Sequence, residues 1–218
     1  MDIVKLYDTI AASFNKTRFS KWDSVSKFIR SLSARSRLGD IGCGNGKYFD
    51  VRTDIEIMAC DASEKQVDIS WDRVYEKQYT HVEVYQADVR NIPIISDFLD
   101  AAICIAVIHH LPSYDERFDA IVELLRIVRP GGSVFFTFWA LEGIEERKET
   151  KKWRKQRNHG DYLVPWTMND QVYLRFYHLM DAIECKRLQS DLHQRLKYTV
   201  NASYVLDMNN WNFTVQKY

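Results

Sequence analysis

"LGDIGCGNGKYFD", residues 38–50, decides how the rest of the chain is read. A short apolar run leads into three glycines, Gly42, Gly44 and Gly46, that alternate with other residues. In doubly wound sheets ligands sit beyond the carboxyl ends of the strands, and the first strand-to-helix turn is where glycine is needed. A dinucleotide fingerprint would read G-x-G-x-x-G; here the third glycine arrives one residue early and Lys47 takes the expected position. A P-loop is excluded more firmly, because no G-K-[ST] follows.

Outward from this turn, strand-length apolar runs alternate with amphipathic stretches. Strands are expected at 37–41, 55–60 ("IEIMAC"), 82–87 ("VEVYQA"), 101–108 ("AAICIAVI") and 133–139 ("SVFFTFW"). The segment "ERFDAIVELLRIVRPGG" between the last two reads as an amphipathic helix stopped by Pro130 and Gly131. Upstream, residues 3–32 read as helical, with Val4, Tyr7, Ile10, Ala11 and Phe14 at spacings of three and four. Alternation of this kind predicts an α/β fold, a doubly wound, mostly parallel sheet with helices on both faces. The tail differs: "NASYVLD" and "NWNFTVQKY" flank a turn expected at Asn209 and Asn210, an antiparallel C-terminal hairpin closing one sheet edge.

At 218 residues and 46% hydrophobic, the chain is long enough for one domain. Within that domain, residues 1–34 are expected as an N-terminal helical cap and 140–180 as a basic and aromatic insertion on the substrate side. The start "MDIVKLYDTIAASF" has neither a basic flank nor a small-residue cleavage site, and no 18-residue apolar window exists, so a soluble, unexported protein is expected. Four cysteines with no CxxC pair argue against a metal site and suit a reducing, cytoplasmic or nuclear setting. Net charge is zero, but residues 147–157, "RKETKKWRKQR", hold seven basic residues against one acidic. That block is either a footprint for an RNA backbone, with Trp153 beside a base, or a solvated loop.

Three acids stand at successive strand ends: Asp40, Asp61 and Asp88. Asp61 is spaced to accept from both hydroxyls of a ribose. Three carboxylates would repel a pyrophosphate and would suit a ligand carrying an ammonium, a sulfonium and an adenine amino group, so S-adenosylmethionine fits better than NAD. With these residues the chain resembles the Rossmann-like class I S-adenosylmethionine-dependent methyltransferases. "DIGCGNGKY" matches their glycine motif, "ACDAS" the ribose-binding acid, "QAD" the adenine segment, and "LLRIVRPGGSVFF" the approach to the fifth strand. The resemblance implies a seven-stranded sheet whose last strand is antiparallel, and a cofactor site at Asp40, Gly42, Cys43, Gly44, Gly46, Asp61, Ala62, Ala87, Asp88 and Ile105.

The fourth strand, "AAICIAVIHHLP", delivers His109 and His110 at the switch point, where a structural histidine bonded to backbone is the competing reading. More distinctive are "YDTIAASFNKTRFSKW", "FWALEG", "YLVPW", "LRFYHL" and "NNW", in this order. Together they are similar to the eukaryotic family that methylates the carboxylate of 5-carboxymethyluridine at the tRNA wobble position. One departure is that family members often carry a long polar insertion where only eight residues here separate Trp166 from Arg175.

A carboxylate acceptor has a pKa of about 4 and is already a nucleophile at neutral pH, so alignment and a cation matter more than a general base. The resemblance places Arg18, in "KTRF", as the residue that grips the carboxylate or a neighbouring phosphate. His110 is expected to donate to the carboxylate or the uracil edge, and Trp139 to wall or stack on the base, so Arg18, His110 and Trp139 form the expected catalytic set. Lys151, Lys152, Arg154, Lys155, Arg175 and His178 are the expected substrate-binding residues; the last two, with Tyr177 as a weaker candidate beside them, fall on an expected helix, "RFYHLM", that would otherwise pack its aromatics into the core. The resemblance also implies tRNA and a small zinc-binding activator protein, docked by strand addition on "HVEVYQ", as partners. The competing readings are a methyltransferase for a small metabolite such as a quinone precursor or free carboxylic acid, and a catalytically silent RNA-binding subunit.

Overall fold

The run before the glycines is β1 (Arg37–Ile41), and it lies near the middle of the main sheet. The structure is a computed structural model that describes residues 2–218, with the side chains of Lys148 and Glu149 in the basic block outside the described set. Around β1 the elements follow in order: α1 (Ile3–Asn15), α2 (Asp23–Ser31), β2 (Glu56–Asp61), α3 (Glu64–Lys77), β3 (Val82–Gln86), β4 (Leu99–Cys104), α4 (Tyr114–Ile127) and β5 (Val128–Trp139). Then come β6 (Arg154–Lys155), β7 (Asp161–Met168), β8 (Gln171–His178), α5 (Ala182–Arg195), β9 (Val200–Asp207) and β10 (Asn210–Lys217).

Seven strands pair in the order β3-β2-β1-β4-β5-β10-β9, with β10 antiparallel to both of its neighbours. The expected doubly wound sheet with a reversed last strand is therefore present. The chain steps outward from β1 to β3, then returns to start β4 on the other side of β1. That reversal opens the crevice in which such sheets bind ligands.

Alternation along β4 shows how both faces are covered. Ala101 and Ile103 enter the layer beneath α2 and α3, while Ala102 and Cys104 enter the layer with α4 and α5. Phe136 and Phe213 stack at 5.0 Å across β5 and β10 and pack on the second side. Truncating either ring to alanine would cost ~3–5 kcal/mol. Helix starts are capped locally: Ser113 and Glu116 form a capping box on α4, and Ser63 accepts from the Gln66 amide on α3.

Several boundaries differ from the expectation. The helix expected over 3–32 is broken, because Thr17–Trp22 are non-helical and carry Arg18 past the main cavity. The fourth strand stops at Cys104 rather than 108; Ala106 adopts a left-handed φ of 59° and Ile108–His110 form a single 3-10 turn. "RFYHLM" is not helical either. It is β8, paired with β7 through a tight turn at Asn169 and Asp170, both at positive φ, so the short spacer from Trp166 is a hairpin. In the tail hairpin the turn is Met208–Asn209, and Asn210 already pairs with Asp207 as the first residue of β10.

Candidate active site

A cavity of about 480 Å³ opens at the carboxyl ends of β1, β2 and β4. Its two ends differ in charge. At the first end the glycine turn brings the backbone close to the wall opposite. Gly42 has φ 75°, and a Cβ there would stand 2.2 Å from Val107 Cγ2, so no larger residue fits. Gly44 lines the cavity, and a Cβ on it would meet nothing nearer than Gln66 Oε1 at 4.0 Å, leaving open a place for a ligand to approach the backbone.

Asp40, at the end of β1, is 2% exposed and its Oδ2 has no partner. Burial pushes its carboxyl up to about 7, opposed by the nearby Lys47 charge and reinforced by Asp61. Asp61 accepts from the Gly44 N–H and the Ser63 N–H, each at 2.9 Å, one on each carboxylate oxygen. Its carboxyl is nevertheless raised, because burial outweighs those two bonds. Asp88 is held by Arg90 in a forked pair at 2.7 and 2.9 Å, and that hydrogen bonding lowers its pKa. Gln66 adds a carboxamide whose oxygen and nitrogen are both buried without partners. Orphaned acidic and amide groups facing a cradle of open backbone fit a ligand with cationic and hydroxyl groups, as S-adenosylmethionine has.

The opposite end is cationic and aromatic. Arg18 lies over the Phe14 and Trp166 rings, and the one hydrogen bond of its guanidinium among the described residues is a 3.4 Å contact with the Thr17 hydroxyl. Lys47 sits between the Trp22 and Tyr48 rings, and burial lowers its pKa to about 8 despite the nearby Asp40. Behind the wall, Arg175 is 3% exposed, among Phe14, Trp166 and Tyr177. It donates to the Tyr177 hydroxyl at 2.9 Å, its Nε has no partner, and no carboxylate among the described residues pairs with it. A buried cation without a counter-ion is costly unless something else supplies the negative charge.

From Arg175 a directed chain of hydrogen bonds crosses this end. His110 Nδ1 donates to the Phe176 carbonyl at 2.8 Å, which makes Nε2 the acceptor for the Tyr7 hydroxyl at 3.0 Å. Burial lowers the His110 pKa to about 4, so the ring is neutral at pH 7. Tyr177 and Tyr7 are 3.5 Å apart, the loosest link in the chain. The Tyr177 O–H, polarised by Arg175, is thus the donor able to turn toward a ligand in the cavity that Tyr177 lines.

The expected cofactor residues converge with one exception: Asp40, Gly42, Cys43, Gly44, Asp61, Ala62, Ala87, Asp88 and Ile105 line the cavity, and Gly46 does not. Gly46 instead packs against the Phe49 ring and accepts from Arg73. Arg18, His110 and Trp139 also line it, but both nitrogens of His110 are engaged within the chain, so it positions Tyr7 rather than donating to a ligand. His178 is a correction. It is buried away from the cavity between Asp161 and Glu184, at 2.7 Å from each, and Glu184 continues to Arg117, so the group ties β8 and β7 to α5 and α4. Lys151, Lys152, Arg154 and Lys155 are exposed, and Trp153 in their midst stacks on Trp139 at 5.4 Å, joining the basic block to the cavity wall. Tyr177, a weaker candidate on the segment expected to be helical, lines the cavity from a strand instead. Tyr7 and Gln66 have no signal in the sequence beyond that of ordinary helix residues.

A reversed last strand on an otherwise parallel sheet, with carboxylates set to receive a cation at the switch point, defines a class I S-adenosylmethionine-dependent methyltransferase. Residues 39–136 match a methyltransferase domain family. A Schizosaccharomyces pombe tRNA (carboxymethyluridine(34)-5-O)-methyltransferase is 31% identical over 204 residues, covering 84% of this chain and 84% of that protein. The chain belongs to that family. An Arabidopsis thaliana relative of the same name is 42% identical over 149 residues, 68% of this chain and 35% of its own length. This chain thus spans about a third of the Arabidopsis protein and 40% of a matching Xenopus tropicalis one. In fold it is similar to the CcbJ methyltransferase from Streptomyces caelestis, with TM-score 0.75 at 12% identity over 100% of this chain and 99% of the other.

Proposed function

We propose that this chain methylates the carboxylate of 5-carboxymethyluridine at the tRNA wobble position, forming the methyl ester. The observation that carries the reading is Arg175, a cation buried behind the acceptor end with no carboxylate partner among the described residues, which an acidic acceptor would complete. S-adenosylmethionine, held by Asp40, Asp61, Gln66 and the Gly44 backbone, would supply a methyl group on a sulfonium. An acceptor carboxylate, ionised at neutral pH, would take that methyl without giving up a proton.

The chain's residues therefore have three tasks. Arg18 and Lys47 offset the acceptor's charge, Tyr177 backed by Arg175 donates to it, and Trp139 with the surrounding rings keeps water from the nucleophile. No general base is needed, in keeping with a His110 already committed to Tyr7 and Phe176. The exposed basic block, stacked through Trp153 on Trp139, would meet the phosphates on either side of the target base.

A small zinc-binding activator as partner rests on the outer edge of β3, which has no strand neighbour among the described residues, and on exposed Trp71 and Tyr75 on the adjoining α3. A cytoplasmic site of action goes with this reading. The test is mass spectrometry of tRNA nucleosides after incubation with labelled cofactor, with and without such an activator. Label in 5-carboxymethyluridine methyl ester is the expected result. Label confined to small-molecule extracts would transfer the reading to a metabolite enzyme, and no cofactor binding at all would indicate a silent subunit.

A further inference from the structure

Next to the main cavity, sharing Trp22 and Trp139 with it, lies a second cleft of about 340 Å³. One side is the start of α2 with Asp23 and Ser24, and the other is the β9–β10 turn with Asn210 and Asn212. Asn210 pairs directly with Trp139 across β10 and β5, so the two clefts meet at one register position. Residues two apart on a strand face the same way, and Asn210 and Asn212 both line this cleft.

Asn210 and Asn212 are 8% and 3% exposed, and each has a carboxamide oxygen without a partner. Chemistry settles which amide atom is orphaned. Asn210 Nδ2 donates to the Met208 carbonyl at 2.9 Å and Asn212 Nδ2 to Asp207 Oδ2 at 3.5 Å, and both partners only accept. The unmet atoms are thus two acceptors, and the cleft asks for N–H donors. Arg147 also lines the cleft and Lys27 pairs with Asp23 at 2.8 Å, so charge does not select the ligand; the two orphaned acceptors do, and a phosphodiester has no N–H to give them.

We infer that this cleft takes the nucleobase adjoining the modified one in the same RNA strand. Its face would lie against the Trp139 or Trp22 indole, and its ring or exocyclic N–H groups would meet the two asparagine oxygens. This rests on the RNA reading above. It makes the β9–β10 turn a determinant of which RNA is accepted, separate from the residues that hold the cofactor and the carboxylate.

The experiment is a double-mutant cycle between protein and RNA, run on the full chain with anticodon stem-loops carrying 5-carboxymethyluridine. The protein arms are Asn212→Ala and, without touching a buried residue, Ser24→Trp, which would fill the cleft from its rim. The RNA arms replace the base on the 5′ or the 3′ side of the target with an abasic site. For the parent chain, one of the two abasic sites should raise KM about tenfold. Either variant should raise KM for intact RNA by a similar factor, leave the calorimetric cofactor Kd within about twofold, and suffer no further loss on that abasic RNA. Additive losses, or no loss from either side, would overturn the inference while the RNA reading stands. A parent chain that leaves every stem-loop unmethylated would bring down both.

Discussion

The two ends of the cavity are built on different supports. The acidic end stands on the ends of β1, β2 and β3, where Asp61 is anchored by two backbone amides and Asp88 by Arg90. The acceptor end is assembled from α1, the segment after it, the 3-10 turn and β8, elements far apart in sequence, and its central charge has no carboxylate partner among the described residues. The contrast teaches that a cationic ligand meets two carboxylates already tied down, Asp61 and Asp88, and has only Asp40 and Gln66 left to satisfy. An acidic acceptor, by comparison, completes an arrangement that is electrostatically unfinished.

Removing the unfinished charge gives the largest expected effect. Arg175→Met should lower kcat/KM for RNA by ~10²–10³-fold and leave cofactor affinity nearly unchanged. The free protein should become more stable, by ~1–3 kcal/mol, because a buried cation with no carboxylate partner among the described residues has been replaced by an apolar side chain of similar length. Denaturant unfolding alongside single-turnover assays checks both halves. A loss of activity accompanied by a loss of stability would mean that Arg175 is an ordinary structural residue. Arg18→Ala should cause a comparable loss in methyl transfer, again with cofactor binding intact by calorimetry.

Asp40→Asn tests the other end. Loss of a charge-assisted contact should weaken cofactor binding ~10–100-fold. Because Asp40 has its pKa raised from 3.8 to about 7, the folded protein holds a proton across that window that the unfolded chain has released. Asp40 therefore costs stability as pH rises through the window, and a cationic ligand, which favours the carboxylate, should displace that proton on binding. Cofactor affinity of the parent chain should increase up to about pH 7 and then level, and the variant should lose this dependence. Calorimetry in buffers of different ionisation enthalpy reads the proton directly; a buffer-independent heat below that pH would refute the assignment.

Lys47 sharpens the comparison from the alkaline side. With its pKa lowered to about 8, it is charged below that value and neutral above it, so KM for the acidic acceptor should climb past pH 8 while the cofactor Kd does not. The smallest effect is expected from the exposed block. Neutralising Lys151, Lys152, Arg154 and Lys155 should weaken RNA binding severalfold and make the salt slope shallower by up to ~3, near 0.7 per lost phosphate contact on a single strand. An unchanged slope would assign the block to solvent.

The two ends also differed in how far the sequence disclosed them. The acidic end was nearly complete beforehand, because its residues follow strand-ending apolar runs at regular intervals and glycine spacing is set by close backbone approach. Asp40, Asp61 and Asp88 fall where expected, and only Gly46 stands aside. At the acceptor end Arg18, His110, Trp139, Arg175 and Tyr177 are candidates from the sequence, but Tyr7 is not, and the role of His110 differs. Tyr7, His110, Arg175 and Tyr177 meet only through tertiary contacts spanning up to 170 positions. "RFYHLM" carries no period strong enough to separate helix from a strand buried on one side and aromatic on both, and the hairpin turn at Asn169 and Asp170 settles it. His178 shows the opposite failure, since a histidine in a distinctive motif proved to be a buried clamp between two acids.

Helix α1 touches both ends through consecutive residues. Tyr7 meets His110, while Asp8 accepts from the Ser63 hydroxyl at 2.6 Å and the Lys65 amide at 3.2 Å at the start of α3. The helix is a lever with an arm in each half, and it is fastened again farther along by Trp166 to Ser13 and Asn45 to Asn15. If the first ligand to arrive steadies that lever, the second finds its own half already braced. Linkage then demands symmetry: whatever factor donor lends to RNA, RNA returns to donor.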